Sequence, residues 1–176
     1  MRKLKIDELN RISVDEFKAA SKTELIIIMD NVRSLNNVGS VFRTSDAFRI
    51  AEIVLCGITA TPPHNEIHKT ALGAEEAVIW SYYEDTLDAV DYVKREGFKV
   101  YAVEQVEGSI RLDEFKPSAR EKYAVILGNE VKGVQQKVVD VSDGCLEIPQ
   151  FGTKHSLNVS ITAGIVIWHF YMSIKQ

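Results

Sequence analysis

Residues 123–134 read Tyr123-Ala-Val-Ile-Leu127-Gly128-Asn-Glu-Val-Lys-Gly133-Val134. Five β-prone apolar residues run without a polar break into a glycine, and a second glycine follows five residues on, with a glutamate between them. A short apolar run ending at glycine has the pattern of a strand buried on both faces. Glycines at its carboxyl end form either a loop that packs against a cofactor or a tight turn that needs positive φ. The stretch contains neither Gly-x-Gly-x-x-Gly nor the Gly-Lys-Ser/Thr end of a phosphate loop, so neither of those chemistries is supported.

Outward from this strand, short β-rich runs alternate with longer amphipathic stretches from Glu24 onward. The pattern predicts an α/β domain with a mainly parallel sheet and flanking helices. Strands are expected at 25–29, 53–56, 78–82, 99–103, 123–127 and 145–148. Leu87, Val90 and Val93 recur at helical spacing, Asp85 can cap the start and Gly97 stops it, which places a helix at about 86–96. Ser13 with Glu16 has the spacing of a capping box for a short helix ahead of the core. The division expected is a short extension, residues 1–22, and one domain, 23–176.

At 176 residues the chain can bury one sizeable core and is too short for two ordinary domains. It lacks the residue order of a secretory signal, and its two cysteines, Cys56 and Cys145, sit in or beside apolar runs. Reduced thiols in a cytoplasmic protein are the reading. The longest apolar run, 161–172, is broken by Thr162, Gly164 and His169 and falls short of the roughly 20 residues of a bilayer span. It reads as a buried helix, and no membrane or metal is expected, since no ligand cluster with metal spacing occurs. A net charge of −4 excludes a protein coated in positive charge. RNA would have to be met by local cations, for which Arg33, Arg43, Arg49, His64, His68, Lys69, Lys132, Lys154 and His155 are placed in or beside loops and helix starts. Each is equally readable as solvated surface charge.

Two further segments carry unusual chemistry. Residues 31–48, Asn31-Val-Arg-Ser-Leu-Asn-Asn-Val-Gly39-Ser-Val-Phe-Arg43-Thr-Ser-Asp-Ala-Phe48, follow a strand and read as a polar loop and then a helix. Gly39 lies one turn before Arg43, so backbone could approach a ligand there; the alternative is a surface arginine after an asparagine turn. Residues 145–160 pass from a strand through Pro149 and Gly152 to Lys154-His-Ser-Leu-Asn158 and then a strongly apolar helix, at about 157–171. Ser156 is placed to cap that helix, and the polar loop beside it suits a pocket floor.

In this order the three segments resemble the motifs of the SpoU/TrmH family of RNA methyltransferases, within the SPOUT class. Asn37 through Arg43 matches the first motif, Gly128-Asn129-Glu130 with Gly133 the second, and Ile148-Pro149 with Ser156-Leu157-Asn158-Val159-Ser160 the third. The resemblance runs from about residue 23 to the end. It implies a C-terminal deep trefoil knot whose loops hold S-adenosylmethionine at Gly128, Ile148 and Leu157. It also implies a homodimer with an active site drawing on both chains, an interface that the apolar C-terminal helix could supply.

The same resemblance makes the reaction a methyl transfer to a ribose 2′-hydroxyl, with Arg43 at the reacting oxygen. Arginine gives up its proton too reluctantly to serve readily as a base, so stabilising the developing alkoxide is the physically safer role. By motif, Asn37 orients Arg43 or the ribose, Glu130 fixes the second loop, and Ser156 and Asn158 hold the nucleotide or shape the cofactor loop. Arg33, Lys132, Lys154 and His155 are the candidates for RNA contact. The start at Asn31 most resembles enzymes of transfer RNA that modify a D-loop guanosine; ribosomal RNA and a non-catalytic knotted RNA-binding protein are the alternatives.

Overall fold

In the computed structural model, which describes residues 1–174, strand β1 (Thr23–Asp30) is buried from Leu25 onward. Its side chains alternate between two cores. Leu25, Ile27 and Met29 join Val38, Phe42, Ile167 and Phe170 on one face, while Ile26 and Ile28 join Val90, Val93 and Val138 on the other. A strand covered on both sides has no polar face to show, hence the unbroken apolar runs. β1 lies between β2 (Ile50–Cys56) and β6 (Lys122–Leu127) in a seven-stranded sheet of order β3-β2-β1-β6-β4-β7-β5, in which every strand pair is parallel. The others are β3 (Trp80–Tyr83), β4 (Phe98–Val103), β5 (Ile110–Arg111) and β7 (Gly144–Glu147).

Helices cover both faces. α1 (Val14–Ala19), α2 (Leu35–Ala47), α3 (Asn65–Ala71), α4 (Ala74–Ala77) and α7 (Val159–Ile174) feed the first core; α5 (Thr86–Arg95) and α6 (Gln136–Val141) feed the second. Asp85 caps α5, its side chain accepting from the Leu87 N–H at 3.0 Å, and Gly97 beyond its end has φ 86°. The capping box also forms: Ser13 accepts from the Glu16 N–H at 3.3 Å and Glu16 from the Ser13 N–H at 2.7 Å. The N-terminal residues pack onto the domain, with Phe17 buried in the first core.

Several sequence expectations are corrected. The third strand starts at Trp80, because Val78 is drawn into the end of α4 by its N–H bond to the Ala74 carbonyl, 2.9 Å. Asn158, not Ser156, caps α7: its Oδ1 accepts from the Ser160 N–H at 2.8 Å, and the helix begins at Val159. That helix is buried along one face only. Val159, Ala163, Val166, Ile167 and Phe170 are inside, whereas Ile161, Ile165, Trp168 and Met172 lie exposed in a single stripe. Among the described residues no helix is long and apolar enough to cross a membrane. Lys175 and Gln176, the last two residues of the expected domain, lie outside the described residues.

Candidate cofactor and catalytic site

With every strand parallel, the carboxyl ends of β1, β4, β6 and β7 share one side of the sheet, and the loops that follow them meet there. A cavity of about 380 Å³ opens over the ends of β4, β6 and β7, with Val103, Leu127, Leu146 and Ile148 giving apolar walls. The 128–134 loop along one side is closed by two backbone bonds, Asn129 N–H to the Gly133 carbonyl at 3.0 Å and Gly133 N–H to the Asn129 carbonyl at 2.9 Å. The Asn129 side chain accepts from the Val131 and Lys132 N–H groups. Gly133 has φ 67°, and a Cβ on Gly128 would overlap the Gly133–Val134 backbone. The glycines make the tight turn that the sequence allowed, and that turn walls a cavity.

Glu130 ties this loop to the first motif. Its carboxylate accepts from the Arg33 and Ser34 N–H groups, each at 2.9 Å, and from the Asn37 amide at 3.1 Å. These are donors at the entry to α2, where a negative charge is favoured by unpaired N–H groups and the helix dipole. Burial alone would raise the Glu130 carboxyl, but the hydrogen bonds outweigh it and hold the pKa below the ordinary carboxylate value. Asn129 adds a second tie, its amide donating to the Asn31 carbonyl at 2.8 Å.

Three residues that sequence reasoning missed complete the frame. Asp30, fully buried at the end of β1, accepts from Thr86 Oγ1 at 2.6 Å, from the Asn31 amide at 2.9 Å, and from the backbone N–H and side-chain amide of Gln135 at 2.9 and 2.7 Å. A buried carboxylate with this many donors is satisfied, and it anchors the far end of the 128–134 loop. Glu104, just past β4, lines the cavity and accepts from the Val134 N–H at 2.9 Å, packed so closely on Gly133 that a Cβ there would strike it. Gln105 donates to the His155 carbonyl at 3.2 Å, joining the third loop. The one hint in the sequence is an acidic residue at the end of β1 and of β4, the placement that meets a ribose in dinucleotide folds.

The residues expected from sequence fall into three places. Gly128, Glu130, Lys132, Ile148, His155, Ser156 and Leu157 line the cavity. Asn37 is joined to it through Glu130, Asn158 holds the start of α7, and Arg33 contributes its backbone N–H to Glu130. Arg33 and Lys154 are exposed. Arg43 is also exposed and lines a different cleft, so one chain does not bring it to the Gly128 cavity. Gly39 does not face a ligand: a Cβ there would meet Thr70 and the Ile67 carbonyl, so its missing side chain serves the packing of α2 on α3. Burial pushes the Cys56 thiol up to about 12, which leaves it unreactive. Among the described residues no group of His, Cys, Asp or Glu is arranged to hold a metal.

A partly apolar cavity of this size over the carboxyl ends of parallel strands defines an α/β protein of the class that binds a nucleotide-bearing small molecule. Residues 24–168 match the SpoU rRNA Methylase family, and the chain belongs to it. It is 28% identical to the tRNA (guanosine(18)-2′-O)-methyltransferase of Thermus thermophilus over 92% of this chain and 81% of that one. Among solved structures it is similar to the A. aeolicus TrmH/SpoU tRNA modifying enzyme, with a TM-score of 0.80 at 21% identity, covering 92% of this chain and 82% of that one. It is also similar to an AdoMet-bound rRNA methyltransferase from Sinorhizobium meliloti, with a TM-score of 0.79 at 25% identity, covering 89% of this chain and 59% of that one.

Proposed function

We propose that the chain transfers a methyl group from S-adenosylmethionine to a ribose 2′-hydroxyl of structured RNA, with transfer RNA and a D-loop guanosine favoured and ribosomal RNA second. It works without a metal, in the cytoplasm, as a homodimer. Residues 23–176 act as the methyltransferase unit behind the 1–22 extension, and the C-terminal segment threads a loop as a deep trefoil knot. The sheet order supports the threading, since β6 and β7 lie on opposite sides of β4 and the chain between them changes sides. The observation that carries the function is Glu130, which lines the cavity while holding the α2 entry that bears Asn37.

The residues present fit the donor. Apolar walls at Val103, Ile148 and Leu157 suit an adenine ring, and the carboxylates and carbonyls of the lining suit a sulfonium cation. When bound, S-adenosylmethionine supplies an electrophilic methyl group. Gly128, Ile148 and Leu157 hold it, the tied loops exclude water, and Ser156 and Asn158 shape the third loop. Lys132, Lys154, His155 and Arg33 receive the RNA. Arg43 is turned away from the cavity of its own chain and serves that of the second chain: as the methyl group would pass from the donor sulfur to the 2′-oxygen, with the hydroxyl proton going to a neighbouring RNA phosphate or to solvent, Arg43 stabilises the charge on that oxygen.

Incubation of the protein with S-adenosylmethionine and purified transfer or ribosomal RNA, followed by nucleoside digestion and mass spectrometry, tests the proposal. A 2′-O-methylated nucleoside is expected. A methylated base, or no product from either RNA, would overturn it.

A further inference from the structure

The cleft that Arg43 lines is built largely by the N-terminal extension. Asn10 to Val14, Phe17 and Ser21 to Thr23 form one wall, the carboxyl half of α2 and the turn after it the other, and Tyr171 and Ile174 of α7 close one end around about 810 Å³. Among the described residues its charged lining is Arg11, Lys22, Arg43 and Arg49 against the carboxylate of Asp46, with Asp15 and Glu16 of α1 outside the lining. In a chain of net charge −4 this is a concentration of positive charge. Lys22 is spent on the Phe17 and Ala20 carbonyls, where it closes α1 and fixes the wall. The guanidinium groups of Arg11, Arg43 and Arg49 donate to no described residue, and burial together with the Arg49 charge lowers the Lys22 pKa.

Arg49 adds an independent observation. It holds φ 50° in the turn between α2 and β2, a conformation that glycine adopts without strain and arginine does not. Backbone strain at an exposed turn, carrying a side chain that donates to no described residue, points to a binding role for Arg49.

We infer that this cleft is a second RNA-binding site, a seat for phosphates of the strand flanking the target nucleotide, with Arg11 and Arg49 as its contacts. The inference rests on the RNA methyltransferase reading above and gives the extension a role, capture of the strand next to Arg43. Three guanidinium groups that donate to no described residue suit phosphate oxygens, which they grip as a planar fork, and their spread along a cleft suits a chain of phosphates more than one ion.

The test uses the full-length protein and the variants Arg11→Gln, Arg49→Gly and the two combined, with unfractionated transfer RNA as the probe across a salt series. Binding of the double variant should fall about tenfold or more at low salt, and its log–log salt slope should flatten by about 2, one per lost phosphate contact. Arg49→Gly should melt no lower than wild type because it relieves the turn, and S-adenosylmethionine affinity should stay unchanged. Wild-type affinity and slope in the double variant, with wild type itself binding RNA, would overturn the cleft and leave the methyltransferase reading standing. Wild type that binds anionic lipid vesicles and no RNA would overturn both.

Discussion

Arg43 projects from an exposed face of α2, so truncating it removes no buried contact and should cost well under 1 kcal/mol of stability. Its effect on turnover separates a surface arginine from a working one. With saturating RNA and donor, single-turnover methylation by Arg43→Ala should be slower by about a hundredfold or more, the scale of losing one donor to a developing oxyanion. Lysine should restore little, because an ammonium cannot reproduce the planar fork; a rate for the alanine variant within threefold of wild type would end the mechanism. At this scale the sequence was uneven. The glycines and Glu130 were legible because a loop at a strand end constrains residue type strongly. Asp30, Glu104 and Gln105 were not, since one carboxylate or amide has no pattern, and what they bind lies 30 to 105 residues away.

The elements were legible where burial imposes a pattern. Strands β1, β2, β4, β6 and β7 fall where unbroken apolar runs predicted them, and α5 lies where Leu87, Val90 and Val93 put it. The missed pieces are too short to display a period: β5 has 2 residues, α4 has 4, α6 has 6 and α3 has 7. The cap of α7 was misplaced because Ser156 and Asn158 are both good caps, and the path of the loop decides between them. The loops also set a prediction. Glu104 holds the 128–134 loop through the Val134 N–H, and Glu104→Gln would remove its charge and can turn an amide NH₂ toward that donor. A polar mismatch at this half-buried site costs about 1 kcal/mol or somewhat more. Calorimetry should therefore show S-adenosylmethionine bound about tenfold more weakly, with Arg43 and α2 untouched. Affinity within twofold of wild type would mean that Glu104 only fills space.

For the molecule as a whole, α7 is the unfinished surface. Ile161, Ile165, Trp168 and Met172 form an exposed apolar stripe that one chain leaves uncovered, and each such side chain, already about half buried, gains on the order of 1 kcal/mol when the rest is taken out of water. Sedimentation should find a dimer at micromolar concentration. Trp168→Glu should give a folded monomer, since Trp168 is half exposed in the single chain and glutamate there meets solvent. A wild-type monomer at that concentration would remove the second chain from the active site. The sequence announced an apolar helix able to supply an interface but not which residues face outward, because its apolar residues encircle it and only the packed fold divides the inner face from the outer.

Glu130 touches both halves of the chemistry with one carboxylate: it lines the cavity and clasps the first turn of α2. A small molecule that shifts the 128–134 loop therefore alters the footing of Asn37, and a polymer that presses on α2 is felt in the cavity. Thermodynamic linkage makes the exchange symmetrical: whatever factor the donor imposes on the affinity for RNA, RNA imposes on the affinity for the donor. On the proposed function, the hold on the modified RNA and the hold on the spent donor would loosen together, with a single side chain as the go-between.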